Sequence, residues 1–308
     1  MDIAAARARL AKYFEPTPLV RAAALAPGGR AIYLKNETVL PTGSFKVRGA
    51  LYALSVRIER AAVSEVVAAS TGNHGAAVAF AARIHGVQAR IFLPRASNPV
   101  KVARIRELGA AIVEGGTDLT AATDAAEDYA DREGAFFLHD AREPDVPTGT
   151  ATIGAEILEQ LELVGAPDAV YIPMGDTALI RGVAAVLRQA AHGIHVVGVV
   201  AERAPAYYLS WKAGTVVETV TAATIADGLA ITRPLAANVA AIRELVDDVV
   251  LVSEREMLDA IGLLQVCEGI QAEPAGAAPV AALLRDASRV GPCVAIVTGR
   301  NISPDIRI

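Results

Sequence analysis

Short apolar and β-branched runs alternate along this chain with longer Ala-rich stretches whose apolar positions recur at helical spacing. The short runs predict strands at 32–34, 66–69, 89–93, 111–113, 169–172, 195–200 and 293–297. The longer stretches predict helices at 46–57, 73–85, 99–108, 119–132, 152–163, 179–191, 254–269 and 276–287, while 203–224 has little period and reads as irregular. Strand and helix in regular alternation mark parallel sheets joined by crossover helices, an α/β fold. Ligands of such sheets settle beyond the carboxyl ends of the strands, where turns meet helix N-termini.

Composition narrows the class. A chain of 308 residues has room for two packed lobes, and with 53% hydrophobic but only 5% aromatic residues the interior is built from Ala, Val, Leu and Ile. The net charge of −5 and the absence of a Lys/Arg cluster give no field for a polyanion, so no nucleic-acid partner is expected. Mean hydropathy is +0.37, yet charge, Gly or His interrupts every apolar stretch before it reaches spanning length. The start, with Asp2, Arg7 and Arg9, lacks a secretion-signal layout, so no membrane association and a soluble, cytoplasmic protein are expected. Cys267 and Cys293 have no metal-type spacing and read as two reduced core thiols.

Four turns carry candidate chemistry. In Pro41-Thr42-Gly43-Ser44-Phe45-Lys46-Val47-Arg48-Gly49 a lysine opens a helix, with Ser44 as expected N-cap. Partial burial beside a helix N-terminus lowers an amine's pKa and makes it a nucleophile and base. The chain has only five lysines among 29 basic residues, so each is worth inspecting, although Lys46 taken alone reads equally as a solvated helix-start residue. Ser70-Thr71-Gly72-Asn73-His74-Gly75 follows a strand and opens a helix, a natural anion clamp; an ordinary capped helix is the plain alternative, and His74 alone is commonly structural. Gly175-Asp176-Thr177-Ala178-Leu179 also joins strand to helix and could seat a phosphate. Thr298, at the end of the last strand, could meet a heteroaromatic nitrogen or be there for β-propensity alone.

Together these segments resemble the fold-type II pyridoxal 5′-phosphate (PLP) enzymes, in the serine/threonine dehydratase and serine racemase branch. The likeness runs nearly end to end and takes in Thr17-Pro18-Leu19, Lys35-Asn36-Glu37, the lysine motif, Gly72-Asn73-His74, Lys101 with Gly109-Ala110, Thr152 with Glu156-Ile157, Thr224-Ile225-Ala226-Asp227-Gly228, Leu245-Val246-Asp247-Asp248, Glu273-Pro274 and Thr298-Gly299-Arg300-Asn301. It implies a tryptophan synthase β-like α/β architecture of two lobes, each with a mostly parallel sheet flanked by helices. The expected large PLP-binding domain is 1–60 with 144–308, and the small domain is 61–143. PLP is the implied cofactor, with Lys46 as its Schiff-base lysine, Phe45 against its ring, and Asn73 on its phenolic oxygen. Residues 175–179 would lie at its phosphate and Thr298 at its ring nitrogen. Ser70, Thr71, Gly72, Asn73 and His74 would bind the carboxylate of a small amino-acid substrate. The implied reaction is β-elimination from a 3-hydroxy amino acid such as serine or threonine, giving a 2-oxo acid and ammonia; a homodimer is implied as well.

The chain departs from that pattern in several places. Where the family has four consecutive glycines at the phosphate, this sequence has Gly175, Asp176, Thr177 and Ala178, and Asp176 is expected to face outward or to bond backbone amides. Thr71 stands where racemases have a serine as opposite-face proton donor, so it is a second candidate catalytic residue. Glu202 matches one metal-site acid of the racemases, but Tyr208 stands at the second, and no metal is expected. Gly149-Thr150-Ala151-Thr152 also differs from the usual glycine-rich form, which bears on the substrate side. Racemase and β-replacement synthase are the alternative activities on this scaffold; a PLP-binding protein that has lost catalysis is the third reading.

Overall fold

The computed structural model describes the chain except residues 27, 28, 71, 96, 98, 191, 192, 307 and 308. Its strands, in chain order, are β1 (Leu19–Arg21), β2 (Ile32–Asn36), β3 (Glu65–Ala69), β4 (Gln88–Leu93), β5 (Ala111–Glu114), β6 (Phe136–Phe137), β7 (Ala169–Pro173), β8 (His195–Ala201), β9 (Asp248–Val252) and β10 (Cys293–Val297). They form two sheets, each flanked by helices, and the expected α/β architecture stands. All seven predicted strands are present. The additional β1 and β6 are too short to carry an alternating pattern, and β9 is a five-residue run opened by an acid.

One unit comprises Met1–Phe14 and Leu40–Gly149, the other Glu15–Val39 and Thr150–Ile308. Residues 1–14, 40–60 and 144–149 thus lie with the smaller sheet, whereas the sequence grouped 1–60 with 144–308. For residues 40–60 the cause is helix Lys46–Arg60, whose buried face lies along helix Asn73–His85 of the same unit. The first unit's sheet is wholly parallel, in the order β5-β4-β3-β6. Val67, Phe92 and the Ala122, Ala126 and Ala130 stripe of helix Leu119–Glu133 share a core there, with alanines at helical spacing bringing the helix close to the sheet.

The second unit's sheet runs β1-β2-β10-β7-β8-β9, parallel except for the edge strand β1. β10, last in sequence, lies between β2 and β7, so Val297 and Pro173 end at the same edge of neighbouring strands. Helix Pro274–Arg285 seats closely on this edge because Gly276 has no side chain: a Cβ there would stand 2.6 Å from the Gly299 carbonyl oxygen.

Several helix boundaries differ from expectation for identifiable reasons. Helix Val146–Gln160 begins before residue 152, with Pro147 in the first turn, where no N–H is needed. The stretch expected to be irregular holds helix Ala206–Ala213, bounded by Pro205 and by Gly214 at φ 71°. Helices Ile3–Leu10 and Ala236–Leu245 are short and were not evident from periodicity. Predicted position 191 lies outside the described residues. Cys293 is buried as expected, but Cys267 is exposed, on the outer side of helix Glu254–Glu268. Among the described residues no helix is long and apolar enough to cross a membrane.

The second unit is pinned by a buried polar network. Lys35, fully buried on β2, donates from Nζ to the Thr17 carbonyl (2.7 Å), Glu156 Oε2 (2.6 Å) and Gln160 Oε1 (2.9 Å). The Thr17 hydroxyl donates to Glu37, so two buried acids, a lysine and a threonine satisfy one another. Replacing Lys35 by methionine strands the Glu156 charge and is expected to cost about 3–5 kcal/mol. The checking measurement is urea unfolding, where the midpoint should fall with little change in slope.

Candidate active site

In the first unit, Gly43 adopts φ 70°, a left-handed turn that leads the chain into helix Lys46–Arg60. Phe45, not Ser44, occupies the N-cap position and makes no side-chain cap; the Ser44 hydroxyl is buried without a hydrogen-bond partner. Lys46 opens the helix with its side chain 16% exposed, its Nζ donating to Asp140 Oδ2 and lying 5.5 Å from the Phe45 ring centre. Lys46 is therefore held, not solvated.

Asp140 follows the short strand β6, which lies parallel to β3 with Val67 opposite Phe137. Turns from these two neighbouring strands consequently emerge side by side. The turn after β3 carries Ser70, whose Oγ accepts from Gly72 N at 3.0 Å, and then helix Asn73–His85. His74 Nε2 lies 2.8 Å from the Leu138 carbonyl and Nδ1 lies 3.9 Å from Asp140. His139 Nδ1 is 3.7 Å from the same carboxylate. Burial would raise the Asp140 pKa, but the Lys46 ammonium foremost, with His74 and His139 adding to it only when protonated, outweighs burial and holds the carboxyl well below its ordinary range. Burial pushes both imidazoles down, against the pull of Asp140.

Gly72 is required by close approach, since a Cβ there would stand 2.2 Å from Cδ of Lys101, itself buried. Ser70, Gly72, Asn73 and His74 thus lie in one turn and helix start, in the unit that holds Lys46. Thr71 lies outside the described residues. Asp140 was missed from the sequence. The available signal was an acid directly after the apolar run Phe136-Phe137-Leu138, at what proves to be a strand end.

In the second unit, β7 ends at Pro173 and the turn 174–177 leads into helix Ala178–Ala190. Gly175 is bound to be glycine, because a Cβ would come within 2.2 Å of the Gly228 carbonyl oxygen. Thr177 is buried at φ 69°, the one non-glycine residue with positive φ among those described. A β-branched residue in that region is strained, at a cost of about 1–3 kcal/mol. Neighbours hold the turn: Asn238 Nδ2 donates to the Asp176 carbonyl at 3.4 Å and to the buried Tyr207 hydroxyl at 3.4 Å. Burial raises the Tyr207 pKa, and the Asp176 carboxylate adds to the rise. Asp176 is half-buried and its charge is felt by Tyr207, so it is not simply turned to solvent. Ala178 and Leu179 are buried in the first helical turn, and Thr298 is buried at the end of β10, the strand beside β7.

Each unit by itself offers donors that suit one part of PLP. A bare-backbone turn at the N-terminus of a 13-residue helix suits a phosphate, and the bar to any Cβ at Gly175 keeps that backbone open. A held amine suits the aldehyde. Among the described residues, no group of three or more His, Cys, Asp or Glu side chains is placed to hold a metal.

The comparisons agree. The family model for the pyridoxal-phosphate dependent enzymes matches residues 10–299. The chain is 37% identical over 278 residues to the L-threonine ammonia-lyase of Geobacter sulfurreducens, covering 89% of this chain and 68% of that protein. It is 34% identical to the catabolic L-threonine dehydratase of Escherichia coli K12, covering 92% and 85%, and 30% identical to the serine racemase of Arabidopsis thaliana, covering 95% and 87%. Among solved structures, a threonine deaminase from T.th. superposes with a TM-score of 0.91 at 33% identity, covering 100% of this chain and 99% of that one. Maize serine racemase gives 0.92 at 27%, covering 98% and 93%. A parallel-sheet scaffold, a lysine held at a helix start and an open-backbone anion turn are thus joined by similarity along nearly the whole chain, and the protein belongs to the pyridoxal-phosphate dependent enzyme family, in its fold-type II form.

Proposed function

We propose that this protein is a lyase that removes the β-hydroxyl of a small 3-hydroxy amino acid, of which serine and threonine are the simplest, and releases a 2-oxo acid and ammonia. The observation that carries the reading is the Lys46 amine, partly buried and engaged by Asp140 at a helix start in the unit that also holds the Ser70–His74 turn. Identity of 34–38% to threonine ammonia-lyases and dehydratases supports it. Bound PLP supplies the electron sink that makes the substrate Cα hydrogen acidic.

With PLP bound, Lys46 Nζ would hold it through its aldehyde and, once free, would take the proton from the substrate Cα. Backbone amides of the turn from Gly175 to Leu179, with the Thr177 hydroxyl, hold the phosphate; Asp176 is left half-buried beside Tyr207. Phe45 would pack on the ring, Asn73 would donate to its phenolic oxygen, and Ser70, Thr71, Gly72, Asn73 and His74 would bind the substrate carboxylate. Thr298 would offer the ring nitrogen a hydroxyl in place of a carboxylate, which would make the bound cofactor a weaker electron sink and suit prompt loss of a β-substituent. The hydroxide leaves protonated, as water, and a further water completes hydrolysis to the 2-oxo acid. A cytoplasmic homodimer is part of the same reading, supported by family resemblance.

Racemisation is the second reading. It is favoured by the 30% identity to plant serine racemases and by the hydroxyl that Thr71 retains at the position where racemases resembling this chain have a serine.

Replacing Lys46 by alanine is expected to abolish borohydride trapping of the cofactor at residue 46 and to lower 2-oxo acid formation by on the order of a thousandfold or more. Because a Cβ at Gly175 meets the Gly228 carbonyl, Gly175→Ala should weaken PLP binding about tenfold or more in an absorbance titration. Thr71→Ala should keep elimination while any D-isomer disappears on chiral chromatography; loss of both activities together would remove Thr71 from the donor role.

A further inference from the structure

Asp140 carries a charge that the proposed chemistry leaves without its counter-ion. Among the described residues its ionic neighbours are Lys46 from helix Lys46–Arg60, His74 from helix Asn73–His85, and the adjacent His139. Neither imidazole is a standing cation. His74 Nε2 faces the Leu138 carbonyl, an oxygen that only accepts, so Nε2 carries the hydrogen and Nδ1 is the basic nitrogen turned toward Asp140. His139 Nδ1 accepts from Ala141 N at 3.1 Å, so the nitrogen nearer Asp140 presents a lone pair. Burial keeps both rings below their ordinary pKa.

The carboxylate therefore depends on the Lys46 ammonium. A lysine nitrogen bonded to an aldehyde carbon keeps at most one N–H, and a lysine acting as base at Cα must be neutral. In the first state the lysine nitrogen offers at most one N–H, its charge shared with the group it is bonded to, and in the second it offers no charge, so a carboxylate that is only 10% exposed has its counter-charge weakened and then removed, a costly condition unless another cation arrives. Lys46 Nζ must touch the substrate's Cα hydrogen, so a group in hydrogen-bond contact with Nζ stands within roughly 6 Å of Cα. A cation on the substrate's own side chain spans that distance; an anionic side chain would face like charge.

The geometry points to a substrate that brings this cation: a 3-hydroxy amino acid bearing an amino group at Cγ, with Asp140 as the residue that selects it. This rests on the elimination proposed above and names its substrate class. The Cα–H and Cβ–O bonds break and Cα=Cβ forms, the proton passing to Lys46 and the hydroxide leaving as water. Hydrolysis of the resulting enamine uses one water and releases the α-nitrogen as ammonia, giving a 4-amino-2-oxo acid. No oxidant, reductant or further co-reactant is consumed. Asp140 stays a bystander to the bond changes and acts through charge.

The test uses PLP-loaded enzyme and three analogues that carry no β-leaving group: 2,4-diaminobutanoate, its uncharged isostere 2-aminopentanoate, and aspartate. Dissociation constants are read from the change in cofactor absorbance on binding, a readout independent of turnover. The wild type is expected to bind 2,4-diaminobutanoate about 100-fold more tightly than 2-aminopentanoate, and aspartate most weakly. Asp140→Asn should collapse the preference to about threefold or less, while Asp140→Glu, which keeps the charge, should retain most of it. Taking the ratio within each variant cancels any shared effect on Lys46 or on cofactor loading. Equal binding of the three analogues by wild type, or a preference that survives Asp140→Asn, would overturn the assignment. An enzyme that shows the preference but forms no 2-oxo acid from any hydroxy amino acid would sink the elimination reading, and with it the hydroxyl in the substrate class, leaving only the selection of a Cγ cation by Asp140. Turnover of serine and threonine with no charge preference would do the reverse.

Discussion

In a parallel sheet every strand ends at the same edge, and the turns that leave this edge run straight into helix N-termini. That polarity governs both units. In one, β3 and β6 deliver the Ser70 to His74 turn and Asp140 from adjacent strand ends; in the other, β7 and β10 deliver the turn 174–177 and Thr298 in the same way. Residues far apart in sequence become neighbours because the strands before them pair in register. The small side chains of this protein serve the same geometry: Gly72, Gly175 and Gly276 each stand where a Cβ would collide with a neighbour.

The five lysines show how environment divides one residue type into different roles. Lys12 is exposed, and Lys212 is an exposed cation 4.9 Å from the Tyr208 ring centre. The stem of Lys101 packs against Gly72. Lys35 and Lys46 are both paired with buried acids, yet they differ in kind. Lys35 is fully buried and donates to Thr17, Glu156 and Gln160, so its amine is committed to structure. Lys46 retains some exposure and meets an acid flanked by two imidazoles of depressed pKa. One lysine is immobilised by hydrogen bonds, whereas the other is held in place and remains reachable.

The turn after β7 shows how a departure from a family pattern is absorbed. A threonine at φ 69° is a costly substitute for glycine, and it is accommodated because Asn238 and Tyr207 fix the turn on one side while Gly175 abuts Gly228 on the other. Asp176 is accommodated half-buried, with its charge raising the proton affinity of Tyr207.

The sequence by itself determined the α/β class, seven strands near their observed bounds, the helix Asn73–His85 to the residue, and the turns bearing Lys46, Asn73 and Gly175, because hydrophobic period and glycine placement are local properties of the chain. It did not show strands as short as β6, the helix Ala206–Ala213 between Pro205 and Gly214, or the exposure of Cys267, since two or three residues carry no period and one cysteine carries no direction. Nor did it indicate the partner of Lys46. Lys46 and Asp140 are 94 residues apart, and nothing local to either specifies the other. Only the parallel pairing of β6 with β3, a long-range choice made by packing, places that carboxylate at the amine and gives the candidate site its charge.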